Sequence, residues 1–138
     1  MTLEYDHKIR VRYADIDQMG IVYYSRYYEF FEAARTDMLR DCGLPYSDFE
    51  KSGFLMPVIE SHCNYKNGGT FDSLLNVKCM IREKPKVKIR IDYEITDIAT
   101  GTLLVTGYTI HAFLNKTGRV CRAPKEFLEI FNKPIERK

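Results

Sequence analysis

Hydrophobic and polar positions alternate clearly near the start of the chain. From Lys8 to Asp15, Ile9, Val11 and Tyr13 fall on one face, and Lys8, Arg10 and Arg12 on the other. A period of two predicts a half-buried strand. Beyond Gly20 the period changes. A helix is expected from about Tyr24 to Cys42, stopped by Gly43 and Pro45. Its apolar residues, Tyr24, Tyr27, Tyr28, Phe30, Phe31, Ala33, Ala34, Met38 and Leu39, spread around most of the wheel. A surface helix confines such residues to a stripe, so this pattern predicts a helix buried nearly all round. A short helix or turn is expected at 46–52.

The rest reads as strands. They are expected at Leu55–Tyr65, Leu74–Arg82, Lys86–Thr96 and Thr102–Leu114, with a short sixth at Arg119–Arg122. The fourth is the clearest, with Val87, Ile89, Ile91, Tyr93 and Ile95 alternating with charges. Pro85 breaks the run before it, because proline removes a ladder donor. Pro124 can open a last helix at its first position, with Phe127, Leu128 and Phe131 on one face. Short connections favour antiparallel pairing. The expected class is α+β, a curved antiparallel sheet of five to six strands around a central helix.

Composition narrows the function classes. The chain has 138 residues, 45% hydrophobic and 29% charged, a globular balance that suggests one domain with a real core. A net charge of +2 is too small for a dedicated nucleic-acid binder. No apolar run reaches the roughly 18 residues of a membrane span, and the charged start MTLEYDHKIR is unlike a signal peptide. A cytoplasmic protein is expected. Cys42, Cys63, Cys79 and Cys121 are scattered, as reduced core thiols are. They and His7, His62 and His111 show no metal-ligand spacing, and no metal or cofactor is expected.

The stretch ADIDQMGIVYYSRYY, residues 14–28, carries the chemistry. As a calcium loop it fails, because Met19 and Arg26 stand where oxygen donors are required. As an aspartyl-phosphate site it lacks the later parallel strands and their further charged groups. An aspartate before a helix is also a common cap or turn residue, and that is the reading taken for Asp15. Asp17 is different. It lies between a strand end and a helix start, with Gly20 allowing close backbone approach. Helix-start N–H groups beyond it carry partial positive charge. A carboxylate beside such donors suits acyl transfer.

The run from Asp15 through Gly20, Ile21, Val22, Tyr23 and Tyr24, then Tyr27 and Phe31-Glu32-Ala33-Ala34-Arg35, resembles the 4-hydroxybenzoyl-CoA thioesterase and YbgC-like branch of the hotdog-fold acyl-CoA thioesterases. The likeness continues through Pro57–Tyr65, Asp72-Ser73-Leu74-Leu75 and Arg122-Ala123-Pro124, so it covers essentially the whole chain as a single hotdog thioesterase domain, 1–138. Ile16 departs from the Thr or Cys common between the two aspartates. Tyr24 departs from the His of one branch, which bears on substrate preference and not on reaction class.

The resemblance implies a long helix wrapped by an antiparallel sheet, and homodimers with a continuous sheet that often pair again into a homotetramer, with sites between subunits. It implies that Asp17 is the catalytic carboxylate, acting as nucleophile or as general base. The Tyr24 backbone N–H is the expected oxyanion donor. Gly20, Tyr23, Tyr24 and Tyr27 would shape the acyl end, although Tyr27 reads equally well as a core aromatic. His62 and Asn64 share one face of the second strand and either line the pocket or are satisfied polar groups. Glu32 and Arg35 read as an i, i+3 ion pair. Lys84, Lys86, Lys88 and Arg90, or else Arg119, Arg122 and Lys125, would hold the phosphates of coenzyme A; a solvated strand face is the competing reading. The expected activity is hydrolysis of an acyl-CoA or acyl-carrier-protein thioester. A thioester dehydratase or isomerase would need His62 near Asp17, and a non-catalytic acyl-CoA binding module would not need Asp17.

Overall fold

The computed structural model describes residues 3–132; residues 1, 2 and 133–138 of the expected domain lie outside it. Five strands, β1 (Leu3–Arg10), β2 (Val58–Tyr65), β3 (Leu74–Ile81), β4 (Lys88–Asp97) and β5 (Leu103–Ala112), form one sheet in the order β1-β3-β4-β5-β2. Every neighbouring pair is antiparallel. The helices are α1 (Arg26–Asp41), α2 (Tyr46–Lys51) and α3 (Lys125–Glu129). This curved sheet around one long helix is the hotdog fold, as the sequence led us to expect.

The pleat divides the sheet into two chemically different faces. Ile89, Ile91, Tyr93 and Ile95 of β4 are buried, as are Val77, Cys79 and Ile81 of β3 and Val105, Thr109 and His111 of β5. The register aligns Cys79, Tyr93, Gly107 and Cys63 in one cross-strand row. On this inner face Phe31 of α1 stacks on Tyr93, with ring centroids 4.2 Å apart and 10° between planes. Gly107 makes room for that stack: a Cβ there would lie 3.0 Å from the Phe31 ring and 2.5 Å from the His62 carbonyl oxygen.

The inner face also holds a polar chain. The Tyr93 hydroxyl is 2.7 Å from Thr109 Oγ1, which is 2.8 Å from His111 Nε2, while His111 Nδ1 is 3.1 Å from the Met56 carbonyl. A carbonyl only accepts, so Nδ1 carries the proton; Nε2 then accepts from Thr109, and Thr109 from Tyr93. Burial pushes the His111 imidazole down to about 4.

Several expected boundaries are corrected. β1 ends at Arg10, and Tyr13–Asp15 form a 3₁₀ turn. Val11 is buried as expected, but Tyr13 is exposed. The partner strand explains this: Arg10 pairs with Leu74, the first residue of β3. Helix α1 starts at Arg26, which leaves Tyr24 outside it, and its buried residues Tyr27, Phe30, Phe31, Ala34, Met38 and Leu39 form one stripe. The expectation of all-round burial counted Tyr24 as helical, and the sheet covers a single side, with Glu29, Glu32 and Arg40 exposed. The sixth strand is reduced to an isolated bridge between Leu114 and Val120. Pro124 precedes α3 instead of opening it.

Candidate functional site

Residues 15–23 form a small hairpin. The Tyr23 N–H donates to the Asp15 carbonyl at 2.8 Å, Ile16 bridges Val22, and the Asp17 N–H donates to the Ile21 carbonyl at 2.9 Å. The tip is a turn closed by the Gly20 N–H on the Asp17 carbonyl at 3.0 Å. Gly20 has φ of 79°, a left-handed conformation that a side chain would strain. The Asp17 carboxylate takes the Met19 N–H at 2.8 Å, an Asx turn that orients it.

Beyond the hairpin the amides are used unevenly. The N–H groups of Val22, Tyr23 and Arg26 donate to the carbonyls of Gly69, Asp15 and Tyr23. Among the described residues, none supplies a backbone acceptor for the Tyr24 N–H. It lies just ahead of α1, where unpaired helix-start amides concentrate.

Asp17, Ile21, Val22, Tyr23, Tyr24 and Tyr27 line one cavity of about 310 Å³, together with Tyr65, Lys66, Asn67 and Gly68. Aromatic rings set its walls. Tyr24 meets Tyr65 edge-on at 6.4 Å, Tyr27 lies 5.7 Å from Tyr65, and Tyr23 lies 4.8 Å from Tyr24. The Tyr65 hydroxyl donates to the Tyr24 carbonyl at 3.3 Å. Buried Tyr27 takes the Gly69 N–H on its hydroxyl at 3.3 Å, which ties α1 to the loop after β2. Tyr23 is pushed up by Tyr24, by partial burial and by the Asp17 charge.

The structure brings Asp17, Tyr23, Tyr24 and Tyr27 together on this cavity, with Gly20 in the turn beside it. His62 and Asn64 are elsewhere. They pair with Tyr108 and Thr106, while Cys63 between them opposes Gly107 on the helix side. Both therefore sit on the outer face, where the His62 ring stacks on Tyr108 at 5.7 Å. Sequence reasoning missed Tyr65 and the Lys66-Asn67-Gly68 turn as cavity walls. The placement of that turn against Ile21 and Val22 depends on tertiary pairing of Ile21 with Thr70.

A second depression of about 800 Å³ lies where the β3–β4 connection meets the outer face of β4. Lys84, Lys86, Lys88 and Arg90 all line it, joined by Arg82, Glu83 and Asp92. Asp92 bonds both Arg82 and Arg90, at 3.3 and 3.2 Å, and the Arg90 guanidinium lies 4.0 Å over the Tyr108 ring. Arg119, Arg122 and Lys125 are exposed and do not line this groove.

The comparisons agree with this architecture. A family model described as thioesterase-like superfamily matches residues 11–131. The chain is 36% identical to a putative acyl-CoA thioesterase, YneP, of Bacillus subtilis over 109 residues, 79% of this chain and 78% of that one. It is 28% identical to the acyl-CoA thioesterase YbgC of Haemophilus influenzae, over 90% of this chain and 91% of that one. A DHNA-CoA thioesterase structure from Staphylococcus aureus superposes with a TM-score of 0.83 at 27% identity, covering 94% of this chain and 89% of that one. With this fold, and with a family match across nearly the whole described chain, the protein belongs to the thioesterase-like superfamily and is a thioester hydrolase.

Proposed function

We propose that the protein hydrolyses an acyl-CoA or acyl-carrier-protein thioester, with Asp17 as the catalytic carboxylate and the Tyr24 N–H as oxyanion donor. The observation that carries this reading is the shared cavity. Asp17 and Tyr24 both line it, and the Tyr24 N–H has no backbone acceptor among the described residues. The thioester carbonyl lies against that amide. Negative charge grows on its oxygen as the carbon becomes tetrahedral, and a preorganised N–H is then worth roughly 10²–10³ in rate. Asp17 either attacks the carbonyl carbon, expelling the thiolate and leaving an anhydride for water to open, or removes a proton from the attacking water. The tyrosine rings pack the acyl group and exclude solvent.

The outer groove takes the nucleotide end of coenzyme A. Five cations, Arg82, Lys84, Lys86, Lys88 and Arg90, line it against two carboxylates, Glu83 and Asp92, an excess that suits phosphates. The working form is a homodimer or homotetramer with sites between subunits. Edge strand β2 supports this: Val58, Ile59 and Tyr65 expose apolar surface beside unpaired backbone groups. Four free thiols fit a reducing cytoplasm. A dehydratase reading loses support, because His62 stands on the outer face and neither it, His7 nor His111 lines the Asp17 cavity.

The test is a panel of acyl-CoAs with a thiol reagent, run on the wild type and on Asp17→Asn. Release of free thiol by the wild type, lost by roughly 10³-fold or more in the variant, supports the assignment. Full activity in Asp17→Asn would remove Asp17 from the mechanism, and no cleavage across a broad panel would remove the activity.

A further inference from the structure

Asp15 is a carboxylate with almost no solvent contact, 1% exposed, at the base of the hairpin that carries Asp17. Such a group is costly to bury unless it is paired and hydrogen-bonded. Its Oδ2 takes the Arg12 N–H at 2.8 Å, and its Oδ1 takes Arg12 Nη2 at 3.0 Å. The Arg26 Nε lies 3.9 Å from the same Oδ1. The Arg26 guanidinium also reaches the Ala14 carbonyl at 3.4 Å and Glu29 at 3.1 Å. These cations come from opposite ends of one segment: Arg12 follows β1, and Arg26 is the first residue of α1. One buried carboxylate thus joins the strand exit to the helix entry, with the hairpin tip looped out between them.

The backbone of the same residue completes the arrangement. The Asp15 carbonyl takes the Tyr23 N–H at 2.8 Å, and the next amide along, that of Tyr24, has no backbone acceptor among the described residues. Asp17 lies two residues beyond Asp15, on the way to the hairpin tip. The spacing between the carboxylate and the oxyanion donor therefore depends on how the hairpin base sits.

We infer that Asp15 is a positioning residue: its buried carboxylate, held by Arg12 and Arg26, fixes the 15–23 hairpin so that Asp17 and the Tyr24 N–H face one cavity. This rests on the thioesterase reading of Asp17. It adds a second aspartate that touches no substrate and acts only through geometry. Misplacement of reacting groups by about 1 Å costs on the order of 10²-fold in rate, which sets the size of the effect.

The variant Asp15→Asn keeps the shape and one acceptor but removes the charge. The expected result is a kcat lowered by roughly 10–100-fold, with KM and the midpoint of the kcat–pH profile unchanged. Amide exchange followed by NMR is the second readout. The Arg12 and Tyr23 amides should exchange faster in the variant, while those of Ile91 and Tyr93 keep their wild-type protection. A wild-type kcat, or exchange accelerated uniformly across the sheet, would overturn the proposal. If Asp15→Asn does not fold, Arg26→Gln removes one arm of the clamp from outside. It should lower kcat in the same sense, and an unchanged kcat counts against the clamp. If the wild-type protein cleaves no thioester, the functional reading fails by itself, and the exchange comparison still decides whether Asp15 holds the hairpin.

Discussion

Gly107 shows how a single missing side chain fixes the relation of helix to sheet. It lies in the cross-strand row between Tyr93 and Cys63, directly under the ring of Phe31. Gly107→Ala places a methyl 2.5 Å from the His62 backbone oxygen, and a strand carbonyl cannot swing aside as a flexible side chain can. Either β2 moves outward or Phe31 leaves its stack on Tyr93. Overpacking of this kind costs about 1–3 kcal/mol. A denaturant melt should show a lower midpoint with the slope unchanged. The Phe31–Tyr93 stack was hidden in the sequence, because Gly107 reads there only as a weak point in a strand. What was legible at this scale was a grouping: Asp17, Tyr23, Tyr24 and Tyr27 line one cavity. His62 and Asn64 share a face as expected, but that face is the outer one, and only the register with β5 decides this.

At the scale of elements, the central strands and the long helix were legible because their periods are strong and continuous. Their ends were not. β1 stops where its partner β3 starts, and α1 starts after a hairpin whose hydrogen bonds compete with the helix for Tyr23. Neither limit is a property of local composition. The inner face of the sheet carries a pH dependence. His111 is buried neutral, donating to Met56 and accepting from Thr109, and its folded-state value of about 4 lies below the 6.5 of the free imidazole. The unfolded chain therefore binds a proton that the folded chain refuses between these limits. This stability is complete above pH 6.5 and is lost as pH falls toward 4, at up to about 1.4 kcal/mol per unit. In the same direction, Tyr5 and His7 of β1 hold Asp37 of α1 below the usual carboxylate range despite its partial burial. Denaturant midpoints measured from pH 7.5 to 4 should fall for the wild type. In His111→Gln the fall above pH 5 should be much shallower, and an unchanged slope would show that this imidazole is not the sensing group.

At the scale of the whole molecule, the Asp17 cavity and the cationic groove lie on opposite faces of the sheet. The Asp17 cavity is walled by α1 and by the helix-side residue Tyr65, whereas the cationic groove is built on Lys88, Arg90 and Asp92, which alternate with the buried Ile89, Ile91 and Tyr93. A thioester with its nucleotide in the groove of one subunit would then present its acyl end to the Asp17 of another. This arrangement can be tested by complementation. Asp17→Asn removes the carboxylate, and Lys86→Glu with Lys88→Glu reverses charge in the groove, each reversal raising KM on the order of tenfold. Each variant alone should be nearly inactive at low substrate. In a hybrid dimer of the two, one composite site pairs an intact Asp17 with an intact groove, while its twin carries both defects. A 1:1 mixture unfolded and refolded together should therefore recover roughly a quarter of wild-type activity, half the dimers being hybrid with one good site each. If each site is complete within one subunit, every site in the mixture carries a defect and nothing is recovered. A subunit-exchange control in buffer alone separates recovery by assembly from contamination, because recovery should then appear only as fast as subunits exchange.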